Sequence, residues 1–255
     1  MLLAIDAGNS NITLGVFEEE NLLTQWRLTT DGERTSDDYG AEVRQHFQLS
    51  NIDPKKLDAI LIASVVPALN LTLTQMGETY FNLTPLFVDH TTNTGLPIAY
   101  DPPSDLGADR IVDAVAAVAK YGGPCIVVDF GTATTFNVIN HRGEFIGGAI
   151  SPGLMTCAEA LFARAAKLPR VEFKQPARAI GSSTGTAMQS GLYHGYAGLV
   201  DGVLSRLIGE METTPRVIAT GGLAHTIANA SQYISEIDDT LTLEGLRLVY
   251  ERIRA

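Results

Sequence analysis

The chain has 255 residues, 45% hydrophobic and 18% charged, which suits one large domain or two modest ones with a sizeable buried core. Its 18 Lys and Arg stand against 29 Asp and Glu, and the resulting charge of −11 argues against nucleic acid or an anionic membrane as partner. The two cysteines, Cys125 and Cys157, form no CxxC, no apolar run reaches the ~20 residues of a membrane span, and Met1 to Asp6 lacks a basic leader. These features predict a soluble, cytoplasmic protein.

In chain order, Leu2 to Ile5 predicts a strand, Gly8 lies in a tight turn, and Ile12 to Phe17 predicts the returning strand. Leu22 to Leu28 is a third strand. Thr35 and Asp38 form a capping box for a helix whose core face is Tyr39, Val43 and Phe47. Asp58 to Val66 reads as a buried strand, and Pro67 opens a helix to about Asn82. Leu86 to Val88 is a short strand, and Asp89 to Ser104 is a loop long enough to be functional. The next helix is expected to bury Ile111, Val112, Val115, Val118 and Ala119 and to stop at Gly122 and Gly123.

A second strand and hairpin follow from Cys125, then a strand over Phe145 to Ile150 and a helix from Pro152 to Leu168. Pro169 to Gly181 is basic and irregular. An apolar helix is expected from Met188 to about Met211, and its Gly191, Gly195, Gly198 and Gly202 predict close approach of another backbone. Arg216 to Ala219 is a strand leading into Thr220, Gly221 and Gly222, with a helix from Leu223 and a last one from Thr242 to Arg254. Strands alternating with helices in two related halves make the fold α/β. The halves are 1–122 and 123–255, with the C-terminal helix 242–255 free to pack back on the first.

The relation between the halves rests on one motif written twice. Asp6-Ala-Gly-Asn-Ser-Asn11 and Asp129-Phe-Gly-Thr-Ala-Thr134 each put an aspartate at a strand end and a glycine two residues on, at an offset of 129 − 6 = 123 residues. Glycine admits a bulky anion close to the backbone, and neighbouring amides and hydroxyls donate to phosphate oxygens. An aspartate there holds a cation, or its waters, against the same phosphates. Two ordinary glycine-turn hairpins would explain either copy alone, but not both with equivalent aspartates.

Other motifs point away from other chemistries. GxxxxGK[ST] and GxGxxG are absent, and the histidines at 46, 90, 141, 194 and 225 have no metal-ligand spacing. Gly181-Ser-Ser-Thr-Gly185 matches GxSxG, but no strand precedes it and no partner histidine is indicated, so a serine hydrolase is not expected. In Tyr100-Asp-Pro-Pro-Ser-Asp-Leu-Gly-Ala-Asp-Arg110, two readings of Asp109 stand side by side. It complements a helix dipole, which leaves Arg110 unexplained, or it orients an attacking hydroxyl and accepts its proton. The base mainly positions the nucleophile in phosphoryl transfer, so a low-pKa aspartate is adequate for the second role.

The paired hairpins resemble those of the acetate and sugar kinase, heat-shock ATPase and actin superfamily, which implies two duplicated ribonuclease-H-like halves around a nucleotide cleft. Further segments narrow the resemblance. Asp6-x-Gly-Asn-Ser, Ser64-Val-Val-Pro67, Tyr100 with Leu106-Gly-Ala-Asp-Arg110, Asp129-Phe-Gly-Thr-Ala-Thr-Thr135, Gly147-Gly148 with Pro152-Gly153, Met188-Gln-Ser-Gly191 and Thr220-Gly-Gly222 occur in order. Together they resemble the type III pantothenate kinases over essentially the whole chain.

The resemblance implies transfer of the γ-phosphoryl of ATP to pantothenate, giving 4′-phosphopantothenate in the first step of coenzyme A synthesis. It implies ATP contacts from Asp6, Ala7, Gly8, Asn9, Ser10, Asn11, Ile12, Thr13 and Thr132, with Gly221 and Gly222 near the adenosine. Asp129 would ligate a monovalent cation, K⁺ or NH₄⁺, and Mg²⁺ would sit near Asp6, directly or through water. Tyr100, Gly107, Ala108, Asp109, Arg110 and Thr184 would contact pantothenate, with Asp109 as catalytic base, in a homodimer. Ser183 stands where the family leads one to expect asparagine. The alternatives are a kinase for another small hydroxylated metabolite, or a regulatory protein of the Bvg accessory factor type.

Overall fold

Two five-stranded sheets with the same strand order organise the chain, whose computed structural model describes residues 1–165 and 168–255. The first half carries β1 (Leu2–Ala7), β2 (Asn11–Glu18), β3 (Asn21–Thr29), α1 (Ser36–Leu49), β4 (Ala59–Ser64), α2 (Pro67–Phe81), β5 (Leu86–Phe87) and α3 (Ala108–Tyr121). Then follow β6 (Cys125–Phe130), β7 (Ala133–Ile139), β8 (Phe145–Pro152), α4 (Leu154–Arg164), α5 (Thr184–Glu210), β9 (Arg216–Thr220), α6 (Ala224–Ala228), β10 (Glu236–Ile237) and α7 (Leu241–Arg254).

The sheets run β3-β2-β1-β4-β5 and β8-β7-β6-β9-β10. In each, the first three strands form an antiparallel meander and the last two lie parallel to the first. Even the irregularities repeat: the register shifts at Val16/Phe17 in β2 and at Val138/Ile139 in β7, the same place in each second strand. This is the duplicated α/β architecture expected from the paired motifs.

Residues divide into one unit of Met1–Leu96, Tyr100–Ala116 and Leu241–Ala255, and another of Pro97–Ala99 and Ala117–Thr240. In the first, Leu3, Ile5 and Ala7 of β1 join Tyr39, Val43 and Phe47 of α1 and Leu69, Leu73 and Met76 of α2 in one core. Thr35 caps α1 through the predicted box with Asp38, an arrangement worth ~1 kcal/mol. Strand alternation sends Leu2, Ala4 and Asp6 to the other face. There α7 packs against β1, β2 and β4. In the second unit Ile126, Val128 and Phe130 of β6 pack with Tyr196, Val200 and Leu204 of α5 and with α6. Alternation again leaves the aspartate, Asp129, on the opposite face.

Several predicted boundaries shift. Pro152 belongs to β8, and α4 starts only at Leu154 and ends at Arg164, because strand pairing of Ala133 with Pro152 outcompetes an earlier helix start. Positions 166 and 167 of that predicted helix lie outside the described residues. The helix expected from Met188 begins at Thr184, with Ser183 as its cap. On α3, Ile111 and Val112 are buried, but Ala119 is exposed and Val115 and Val118 are half-buried. Ala114, Ala116 and Ala117 are buried in their place, since the helix is enclosed on several sides. On α7, Leu246 and Val249 are buried whereas Ile253 is 40% exposed. The two-residue β10 gave no sequence signal.

A buried polar knot secures the end of β10. Asp238, 7% exposed, accepts hydrogen bonds from Lys120 Nζ (2.5 Å), Tyr121 Oη (2.8 Å) and the Thr240 amide and hydroxyl (both 3.1 Å). Burial alone would raise the Asp238 carboxyl, but the Lys120 and Tyr121 hydrogen bonds and the Lys120 charge hold it below the usual range. Burial and Asp238 push the Tyr121 phenol up to about 12.

The signs follow from linkage. The depressed carboxyl contributes stability above the ordinary carboxylate pKa and loses it as pH falls through the lower folded value. The raised phenol contributes below its ordinary pKa of 10.0 and loses it as pH rises toward about 12. Asp238→Asn is therefore expected to cost about 1–3 kcal/mol at neutral pH and to flatten both limbs of the stability–pH curve. Urea denaturation at several pH values tests this; curves parallel to wild type would refute it.

Candidate active site

The first turn is built by β1 and held from just beyond β3. Gly8 N–H donates to the Asn11 carbonyl (3.0 Å), Thr30 Oγ1 donates to the Gly8 carbonyl (2.6 Å), and Thr30 N–H donates to the Ser10 carbonyl (3.1 Å). The turn is thus fixed by Thr30, a residue outside the Asp6–Asn11 motif. Asn9, Ser10 and Asn11 are exposed, and Asp6 and Thr13 pair in register at the strand ends. Ala7 and Ile12 are buried at 0% and 1% exposure, so a nucleotide can meet them only through their backbone.

The acceptor segment enters the same unit. A single 3-10 turn over Pro103–Asp105 leads through buried Leu106 to Gly107 and the first turn of α3. The Arg110 guanidinium is buried, 5.5 Å from the Tyr100 ring centroid, in cation–π contact. Gly107 is required by its surroundings. A Cβ there would stand 2.5 Å from Asp109 Oδ1 and 3.3 Å from Val65 Cγ1. The missing side chain is the space the Asp109 carboxyl occupies.

Val65 in turn donates its amide to the Ala7 carbonyl (3.1 Å), directly after the Ala7–Ser64 pair of β1 and β4. The start of α3 is thereby set beside the end of the strand that carries Asp6. No single sequence segment contains that neighbourhood.

Burial pushes the Asp109 carboxyl above the usual carboxylate range, and the Arg110 amide (2.7 Å to Oδ1) and guanidinium charge pull it part of the way back. A low-pKa aspartate would be adequate for positioning, but this enclosure raises the carboxyl instead. A carboxylate that merely complements a helix dipole has no need of burial, since that effect operates at the solvated surface. The enclosed geometry favours the proton acceptor.

In the second unit Asp129 pairs in register with Thr135 and Thr220. Gly131 N–H donates to the Ala133 carbonyl (3.1 Å), and the Thr132 carbonyl accepts from Gly153 N–H (3.0 Å) and Thr156 Oγ1 (2.8 Å). Gly221 has φ +89°, and a Cβ on it would overlap Asp129 Oδ1 and lie 2.7 Å from Phe130 N. The glycine turn after β9 therefore closes directly on the aspartate near the end of β6, while Gly222 is exposed.

Thr184 is placed by the cap of α5 rather than by this hairpin. Ser183 Oγ accepts from Thr186 N–H (3.3 Å), and Ser183 N–H donates to Thr186 Oγ1 (3.0 Å). Serine and asparagine are both strong N-caps, so Ser183 fills the structural role that an asparagine would fill. The same bonds, with irregular chain before them, remove the nucleophile-elbow reading. The glycines of α5 gave a false expectation within the chain: a Cβ at Gly191, Gly195 or Gly198 would meet nothing within 4 Å, and at Gly202 only the Arg206 side chain.

The family profile of type III pantothenate kinase matches residues 2–206, and a type III pantothenate kinase of Koribacter versatilis is 51% identical over 262 residues, covering 99% of this chain and 96% of that protein. The chain belongs to the type III pantothenate kinase family. Among solved structures it resembles a Campylobacter jejuni protein described as a Baf family transcriptional activator (TM-score 0.60, 19% identity, 98% of each chain). It also resembles the activator of the 2-hydroxyisocaproyl-CoA dehydratase from Clostridium difficile with bound ADPNP (TM-score 0.59, 8% identity, 99% and 95% covered). At such identities these two likenesses concern the fold alone. Family membership matches what the ordered motifs implied, and no helix among the described residues is long and apolar enough to cross a membrane.

Proposed function

We propose that the chain transfers the γ-phosphoryl group of ATP to the primary hydroxyl of pantothenate, releasing ADP and 4′-phosphopantothenate at the start of coenzyme A synthesis. The observation that carries the reading is the enclosed Asp109 carboxyl, held open by Gly107 and set beside the Asp6 turn through Val65. The hydroxyl oxygen attacks the γ-phosphorus, the bond to the bridging oxygen of ADP breaks, and the hydroxyl proton passes to Asp109. Tyr100, Gly107, Ala108, Arg110 and Thr184 hold the acceptor. Asp6 to Thr13 and Thr132 hold the phosphates, and Gly221 and Gly222 lie by the adenosine. Amide donors of the turns stabilise the charge that develops on the transferred group.

Mg²⁺ keeps several waters and binds through one or two carboxylates beside phosphates, so Asp6 fits that ion. When bound it would neutralise phosphate charge. Asp129, fixed under Gly221, fits a monovalent cation, K⁺ or NH₄⁺. A second copy lying along Gly191, Gly195 and Gly198 would supply the backbone approach that the single chain lacks, in keeping with a homodimer. Cys125 and Cys157 are free thiols, which suits the cytoplasm.

The test is ATP consumption by purified protein with and without pantothenate, with the phosphorylated product identified by mass spectrometry. Pantothenate-dependent turnover is expected. Folded protein that consumes no ATP in response to pantothenate would overturn the reading and turn attention to other hydroxyl acceptors.

A further inference from the structure

The helix α7 lies beyond the residues matched by the family profile, and it grips the segment that carries Asp109. Asp113 sits on α3 one turn after Asp109 and is 2% exposed. Its Oδ1 accepts a 2.7 Å hydrogen bond from Thr242 Oγ1, in the first turn of α7. Gly245, one turn further, lies against the Val112 carbonyl so closely that a Cβ would overlap it. At the other end of α7 the Arg252 guanidinium covers Gly95 (φ +72°), in the loop that leads toward Tyr100. Leu241, Leu243, Leu246 and Val249 anchor α7 in the core.

We propose that Thr242 is a positioning residue for phosphoryl transfer, acting through Asp113 to fix the rotation of α3 about its axis and hence the place of the Asp109 carboxyl. The proposal rests on the reading of Asp109 as proton acceptor. Interdigitated packing already restricts rotation, and a directional bond to a buried carboxylate narrows the angle further. A carboxyl roughly 6 Å from a helix axis moves by about 1 Å when the helix turns by about 10°. Displacements of that size cost up to about 10²-fold in rate.

Thr242→Val keeps the shape and removes the donor, and Thr242→Ser keeps the donor. Thr242→Val is expected to lower kcat about tenfold with the KM for ATP unchanged, and Thr242→Ser to restore most of the loss. Wild-type kcat in Thr242→Val, or Thr242→Ser no better than Thr242→Val, overturns the proposal, because a merely structural contact would lower the melting temperature without this pattern.

Hydrogen exchange provides a readout that does not depend on turnover. The Ile111 amide, bonded to the Gly107 carbonyl (3.1 Å), is expected to exchange faster in Thr242→Val. Unchanged exchange there overturns the proposal whatever the kinetics show. Wild-type protein without pantothenate-dependent turnover would instead fault the Asp109 reading, leaving exchange to judge the clamp. If Thr242→Val does not fold, Thr242→Ala is read by the same two measurements.

Discussion

Asp109→Asn is expected to lower kcat by about 10²–10⁴-fold, the range for a lost general base, with ATP affinity nearly unchanged and thermal stability at neutral pH increased. The carboxyl is desolvated, so its pKa lies above the ordinary value. A carboxyl raised in the folded state adds stability below its unfolded pKa and loses it as pH climbs through the folded value. At neutral pH the ionised group therefore costs stability, and the neutral amide removes the cost while still accepting from the Arg110 amide. Loss of turnover with a gain in melting temperature is the signature of a group kept for chemistry. The same shift predicts that wild-type kcat declines on the acid side at a higher pH than an exposed aspartate would give. Calorimetry with steady-state kinetics tests all three. Wild-type turnover in the variant would remove Asp109 from the reaction.

The second large effect is expected at Asp129. If K⁺ or NH₄⁺ raises wild-type turnover, as the proposed cation role requires, Asp129→Ala should abolish that rise and leave a residual rate about 10²-fold lower, comparable with losing one preorganised electrostatic contact. Strand pairing with Thr135 and Thr220 fixes the Asp129 backbone, and the Gly221 turn closes on its Oδ1. A fixed carboxylate at a strand end offers a cation a prepared ligand, whereas a mobile one would lose entropy on binding. Rates measured in Na⁺ and in K⁺ at matched ionic strength decide the matter. A variant still activated by K⁺ would place the cation elsewhere.

The duplication is structural, and the assigned roles divide between its copies. Both halves carry an aspartate as the penultimate residue of the first strand, on the face away from the main helical core, followed by a glycine turn. In the first copy α3 enters beside the turn, next to Val65, and brings the desolvated Asp109 carboxyl with it. In the second copy the strand equivalent to β4 runs into Gly221, which closes on Asp129. On the proposed reading, one architecture supplies an acceptor side and a cation side.

Sequence by itself determined whatever depends on neighbours along the chain. The Thr35–Asp38 box, the helix start at Pro67, the strand alternation that separates Leu3, Ile5 and Ala7 from Asp6, and the repeated Asp-x-Gly turn are local patterns, and each survives in the structure. The ordered motifs also carried the family. Ser183 with Thr186 was a legible cap for α5, passed over because the apolar periodicity starts only at Met188.

Tertiary structure decided what depends on contacts between distant segments. The predicted face of α3 was incomplete because the helix is enclosed on several sides, and periodicity finds one stripe only where one side meets water. The pKa of Asp109 rose because burial is a property of the packed fold, invisible in the charges beside it in the chain. Thr242 and Asp113, 129 residues apart, meet only once α7 returns to α3. A side chain's place follows from local pattern, but its electrostatics and its aim follow from everything packed around it.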